Sequence, residues 1–204
     1  MYRRLRPAWA LVLMIAVLVA QATPAAAKTS YFYDFEKGTK PWTVGSTGSD
    51  LERSLSIQRT ENGCPSTTDT SHAFVKFVNV AGKPSAAWVV TSFATVSTGA
   101  DLVRMTYCQK TADLCAGCKP IIYVGGDMPV SLSQFQSAYP SITEPPVVGD
   151  WMMYQFPSPN GPEPTIYNKG TVYVAIGVAG PSVKENTTEG FGLDCIDLTI
   201  FPAP

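Results

Sequence analysis

A two-residue alternation of apolar and polar side chains, in short runs cut off by turn residues, restricts the fold of this chain more than any other feature. Val172, Val174, Ile176 and Val178 alternate with Tyr173, Ala175 and Gly177, and Val103, Met105 and Tyr107 alternate with Arg104 and Thr106. A period of two sends successive side chains to opposite faces of a strand; a helix would need apolar residues three and four apart. Nine runs of this kind follow one another: Tyr31–Glu36, Leu55–Arg59, Ala73–Val78, Trp88–Thr95, Leu102–Cys108, Ile121–Val124, Trp151–Phe156, Val172–Val178 and Phe191–Phe201. Gly and Pro residues are spread between them as turn punctuation. One apolar and one polar face per strand marks antiparallel sheets covered on a single side. Two such sheets packed face to face make a sandwich. About nine strands with long mid-chain connections predict an all-β jelly-roll β-sandwich of two antiparallel sheets. The stretch Ser131–Ser141 has room for one helical turn.

The alternation is absent from the first 27 residues, which have the layout of an export signal. Arg3, Arg4 and Arg6 form a positive start, Ala8 to Ala20 is uncharged and apolar, and Ala25-Ala26-Ala27 supplies small residues for cleavage. The apolar run is about 13 residues, whereas a membrane span needs about 20. Residues 1–27 are therefore expected to be a signal peptide, with residues 28–204 a single domain. The expected location is secreted or at the cell surface, and the Ala-rich cleavage region points to a bacterial source. No later segment is long and apolar enough to span a membrane.

Three of the 15 basic residues leave with the signal, so 12 remain against 16 acidic, a net charge near −4. That balance argues against nucleic acid as a partner, which calls for a basic patch. All five cysteines (Cys64, Cys108, Cys115, Cys118 and Cys195) lie beyond the signal. In an exported chain disulfides are the first reading. Five cysteines form at most two bridges, which leaves one as a thiol or as a link between chains. Cys115-Ala116-Gly117-Cys118 also has the C-x-x-C spacing of a redox motif, but no helix start in a βαβ setting accompanies it. Zinc held by Cys108, Cys115 and Cys118 with Cys64 or His72 is a further reading, for which a second C-x2-C is missing.

Catalytic signals are sparse. His72 is the one histidine, at the mouth of an expected strand in a Ser/Thr-rich stretch, and is expected at the surface or in a loop; no G-x-S-x-G turn occurs. Glu52, Glu61, Asp69, Asp113, Asp127 and Asp150 fall mostly in expected loops, the usual place for acids in a soluble domain. Asn186-Thr187-Thr188 is a glycosylation sequon that matters only in a eukaryotic secretory pathway.

The two ends carry a resemblance. The domain opens on Tyr33-Asp34-Phe35-Glu36-Lys37-Gly38 followed by Pro41-Trp42, and closes on Gly190-Phe191-Gly192-Leu193-Asp194-Cys195-Ile196-Asp197-Leu198. This resembles the galactose-binding-like jelly rolls of the carbohydrate-binding-module type, many of them attached to secreted glycosidases. The middle of the chain, with its cysteines, departs from that pattern. The resemblance implies a structural calcium where the first and last strands meet, with Glu36 and Asp194 as ligands and backbone carbonyls completing the shell. Calcium takes six to eight oxygens, a chemistry that suits these residue types.

A sugar-binding surface needs aromatic faces ringed by polar groups. The candidates are Gln58, Arg104, Tyr123 and Tyr173, which share a face if the strands pair as read, and Tyr139 and Tyr167 in loops flanked by Pro or Gly. Trp42 and Trp88 are expected in the core, and Trp151 is a third tryptophan of the domain, with no place assigned. The expected function is a secreted, non-catalytic binding module for a glycan or cell-surface polymer. The alternative is an extracellular structural or adhesive protein with a protein partner, for which a spare fifth cysteine would suit a covalent dimer. A jelly-roll hydrolase or lyase using the loop acids ranks third.

Overall fold

The computed structural model describes residues 28–47, 51–59, 71–79, 86–94, 100–111, 117–140, 151–158, 165–167, 170–180 and 187–202. The expected signal peptide, Cys64, Cys115, Asn186 and the acids Glu61, Asp69, Asp113 and Asp150 lie outside them. Among the described residues no helix is long and apolar enough to cross a membrane.

The chain is a β-sandwich of two antiparallel sheets. Its strands are β1 (Thr29–Tyr33), β2 (Thr43–Ser46), β3 (Leu51–Gln58), β4 (His72–Asn79), β5 (Ala86–Ala94), β6 (Ala100–Lys110), β7 (Lys119–Gly125), β8 (Gln136–Ser137), β9 (Tyr139–Pro140), β10 (Trp151–Phe156), β11 (Thr165–Tyr167), β12 (Thr171–Ala179) and β13 (Thr187–Pro202). Each of the nine expected runs overlaps a strand, the first over residues 31–33 alone, since 34–36 lie beyond the end of β1. The other four, β2, β8, β9 and β11, are two to four residues long, too short for a period of two to stand out. The expected helical turn is a single 3-10 turn, Leu132–Gln134, where Gln134 Oε1 accepts from the amides of Val130 (2.7 Å) and Ser131 (2.9 Å).

The larger sheet has eight strands in the order β3-β4-β13-β6-β10-β9, with β1 also on β13 and β11 also on β6. The smaller has five, β2-β5-β12-β7-β8. Repeated crossing between two sheets is jelly-roll winding. The long strand β13 pairs with β6 on one side. On its other side its first half pairs with β4 and its second half, from Ile196, pairs with β1. A β-bulge between Asp194 and Asp197 separates the halves, and Cys195 there has φ 47°. The bulge has a sequence cause. Leu193 and Ile196 both face the core but stand three residues apart, an odd step that a regular strand would send to opposite faces. One extra residue restores the facing.

The core lies between the sheets. Val172, Val174, Ile176 and Val178 from β12 meet Val103, Met105 and Tyr107 from β6 and Phe191, Leu193, Ile196, Leu198 and Ile200 from β13. Each such side chain contributes roughly 1.5–3 kcal/mol on burial. Gln109 of β6 reaches across from the larger sheet, and its Nε2 donates to Gly177 O of β12 at 3.1 Å.

Candidate functional site

Which residues share an outer face follows from the pairing register, because directly opposed residues in an antiparallel pair point to the same side. Phe32 of β1 faces Asp197 of β13, and Asp197 faces Thr106 of β6. Thr106 faces Gln155 of β10, and Gln155 faces Tyr139 of β9. These five residues form one row across five adjacent strands of the larger sheet. The flanking residues Tyr31, Tyr33, Met105, Ile196, Leu198, Tyr154 and Phe156 all contribute to the core, so the row lies on the outer face.

The row has aromatic ends and a polar middle. Phe32 is 57 % exposed and Tyr139 is 44 % exposed, on the two edge strands of this part of the sheet. Between them Asp197 is exposed, while Thr106 and Gln155 are half-buried. A second polar row runs beside it. Ser30 and Thr199 share a hydrogen bond at 3.1 Å, and Thr199 faces Arg104. The Arg104 guanidinium stands 5.5 Å from the centre of the Phe201 ring, and Lys28 Nζ stands 5.4 Å from the same ring. The chemistry on offer is ring faces for apolar surfaces, a carboxylate and a hydroxyl to accept, and an amide and a guanidinium to donate.

The structure separates the residues expected to act together. Arg104 and Tyr139 lie on this outer face. Gln58 is on the same sheet but on β3, opposite His72, at the far side of β4 and β13. Tyr123 and Tyr173 lie on the outer face of the smaller sheet, on the other side of the sandwich, so the four strand residues Gln58, Arg104, Tyr123 and Tyr173 do not share a face. Alternation set each side chain's face within its own strand correctly, but which strand joins which sheet is not written in that pattern. Tyr167 is on β11, opposite Ala100, and its side chain is not described.

Tyr123 and Tyr173 have a local role. They pack with Phe135 around the buried Trp88. Trp88 faces Gly45 on one neighbouring strand and Gly177 on the other. Its indole lies over Gly45, where a Cβ would meet the Trp88 Nε1. Phe135 covers it with ring centres 4.9 Å apart. Tyr123 lies along its strand over Gly125 and its hydroxyl donates to the Asp127 carbonyl at 2.7 Å. Trp88 is buried as expected, but on the outside of the smaller sheet under a covering segment rather than between the sheets.

Trp151 is buried too, at 2 % exposure, and is no surface residue. It lies against Gly192, where a Cβ would stand 2.8 Å from the ring, and meets the edge of His72 at 5.1 Å. His72 opens β4, at the mouth of a strand as expected, but is 4 % exposed and not a surface residue. The Ser/Thr-rich flank suggested an exposed ring, but the aromatic contact with Trp151, distant in sequence, draws it in.

Cys108 and Cys118 are each disulfide-bonded, whereas Cys195 is a buried thiol packed with Cys108 and Trp151. At 7 % exposure Cys195 is poorly placed for a link between chains. Asp194 is fully buried and its Oδ1 accepts from the Cys195 amide at 2.7 Å. Glu36 is exposed, in the turn after β1 where Gly38 N donates to Phe35 O at 3.3 Å, rather than in the strand. Among the described residues no three His, Cys, Asp or Glu side chains gather as a metal group. A calcium shell built from Glu36 and Asp194 would therefore depend on backbone carbonyls for most of its oxygens.

No protein-family model matches the chain, and no curated relative matches it. Among solved structures its neighbours are β-sandwich carbohydrate-binding modules and adhesin domains. One is from work on promiscuous specificity in carbohydrate-binding modules of the β-sandwich superfamily, at 16 % identity and TM-score 0.45, covering 81 % of this chain and 60 % of that one. The family 11 carbohydrate-binding module of a cellulosomal cellulase of Clostridium thermocellum is 15 % identical, with TM-score 0.43 and coverage of 87 % and 97 %. The K1 cleaved adhesin domain of Lys-gingipain from Porphyromonas gingivalis is 14 % identical, with TM-score 0.43 and coverage of 83 % and 97 %. This chain thus spans less than two thirds of the first of these. Likenesses at this level carry no ligand over to it.

Proposed function

We propose that this protein is a secreted, non-catalytic binding module whose ligand is a carbohydrate, and that the ligand lies on the outer face of the eight-stranded sheet. The row Phe32–Asp197–Thr106–Gln155–Tyr139 carries the reading. Two exposed rings at the ends of a polar strip combine the apolar stacking surface and hydroxyl partners that a sugar needs. The test is a glycan array probed with the purified protein and with the Asp197→Ala variant. Selective binding to one glycan class, lost in the variant, is the expected result. A blank array with folded protein overturns the reading.

A structural calcium at Glu36 and Asp194 belongs to the same proposal. Its expected signature is a melting temperature that falls by several degrees on chelation and returns with added calcium. An unchanged melting temperature removes the metal from the proposal and leaves the sugar face standing.

One observation favours the second reading, an adhesive protein that binds another protein. Met128, Val130 and Leu132 are 51 %, 75 % and 41 % exposed within one short segment that runs into the 3-10 turn. Clustered exposed apolar side chains are the mark of a protein contact. Under this reading Val130→Asp abolishes capture of a protein partner and leaves the glycan array unchanged.

A further inference from the structure

We infer that Cys195 is an exchange thiol: its sulfur attacks the disulfide at Cys108 and moves that bond, so that the fold carries two alternative cysteine pairings. This holds whatever ligand the protein binds.

The bulge on β13 brings the two residues together. Cys108 on β6 stands directly opposite Asp194, the last matched pair before the register shifts. Opposed Cα atoms in an antiparallel pair are about 4.5–5.5 Å apart, and one step along a strand adds about 3.3 Å. Cys195 is one such step away, so its Cα stands roughly 5.6–6.4 Å from that of Cys108. A disulfide spans about 4.4–6.8 Å between Cα atoms. A regular strand would still turn Cys195 to the face opposite Asp194, away from Cys108. The extra residue of the bulge undoes this. Cys195 packs in one buried cluster with Cys108 and Trp151, whereas Leu193 and Ile196 enter the core between the sheets.

The residue type points the same way. Cys195 has φ 47°, a left-handed backbone that glycine adopts without steric cost and asparagine or aspartate adopts more readily than cysteine. A bulge that served backbone geometry alone would be best filled by glycine. Cysteine there is strained, and what it adds is a sulfur beside Cys108.

Burial selects the reaction. Cys195 is 7 % exposed and Cys108 is 0 % exposed, which holds thiols and oxidants in solution away from both sulfurs. Cys108 is disulfide-bonded and Cys195 is a thiol. The Cys195 sulfur, as thiolate, attacks the Cys108 sulfur. A Cys195–Cys108 bond forms, and the bond from Cys108 to its earlier partner breaks. That partner leaves as a thiolate and takes up the proton that Cys195 gave up. One disulfide and one thiol stand on each side of the step, so no oxidant or reductant is consumed. The shift ties β13 to β6 at the bulge and releases the cysteine that Cys108 held before.

The test is a cysteine map by peptide mass on the purified protein, unfolded without reductant and labelled with a thiol reagent active in acid, where exchange is frozen. One sample is quenched at once. A second is quenched after overnight incubation at about pH 8.5, where a cysteine thiol ionises. The first sample should carry its label on Cys195. In the second, label on Cys195 should fall and a linked Cys108–Cys195 peptide should appear. Label should rise one for one on the cysteine that Cys108 released, with total thiol unchanged. Cys195→Ser removes the attacking sulfur and should keep its starting map through the incubation. Cys195→Gly, which also relieves the backbone, should do the same. Full label on Cys195 after incubation with no Cys108–Cys195 peptide overturns the inference, as does an equal rearrangement in either variant. Should neither variant fold, the wild-type map alone decides.

Discussion

Tyr107 stacks on Tyr154 with ring centres 5.5 Å apart, and its hydroxyl is buried with no hydrogen-bond partner among the described residues. Burial, and then the charge of Tyr154, raises the Tyr107 phenol well above its ordinary 10. Burial raises Tyr154 as well. The sign follows from proton counting. Both states are protonated below pH 10, so the stability linked to these phenols is fully present there. Above that pH the unfolded chain ionises first, and stability falls as pH rises toward the folded values. Melting temperatures measured from pH 8 to pH 11 should drop steeply above pH 10, and Tyr107→Phe should flatten that drop. At pH 7 the same variant should be about 1 kcal/mol more stable, because it removes a buried hydroxyl with no partner among the described residues. An unchanged alkaline limb in the variant would show that Tyr107 does not govern it. Alternation put Tyr107 on one face with Val103 and Met105, but its stacking on Tyr154 depended on the pairing of β6 with β10.

At the scale of elements the long strand β13 holds the larger sheet together, since β6 lies along one side and β4 and β1 share the other. Its bulge was legible in principle, as the three-residue step from Leu193 to Ile196. The short strands were not, because two to four residues cannot display a period. This matters for the candidate site, whose Tyr139 end stands on the two-residue strand β9. Pro140 there offers no amide to a further strand, which protects an exposed edge from pairing with another chain. Amide exchange should be slowest in β13, β6, β12 and β5, where strands are long and paired on both sides, and fastest in β8 and β9. Hydrogen-exchange mass spectrometry checks this. Protection of β9 equal to that of β13 would mean that the Tyr139 end of the row is more firmly built than its pairing implies.

For the whole molecule the cysteines offer the sharpest test. Cys108 and Cys118 are each disulfide-bonded, and Cys195 is a buried thiol. A thiol reagent should leave all three unlabelled in the native protein. After unfolding without reductant it should label Cys195 but neither Cys108 nor Cys118, as read by peptide mass. Reduction should cost about 2–4 kcal/mol per bridge in denaturant melts. Label on Cys108 or Cys118 before reduction would overturn these assignments.

The sequence by itself determined the class of architecture, because alternation in nine runs leaves antiparallel sheets with one covered face as the only way to bury those side chains. It also determined the inward or outward sense of most strand residues, Arg104 and Tyr173 included. Only the tertiary structure decided which strands are neighbours. For that reason it moved Tyr123 and Tyr173 to the far side of the sandwich, drew His72 and Trp151 into a buried contact, and aligned Phe32, Asp197, Thr106, Gln155 and Tyr139. Side-chain period is a property of one strand and can be read along the chain. A row across strands depends on the order and register of segments far apart in sequence, which the packing of the whole core selects.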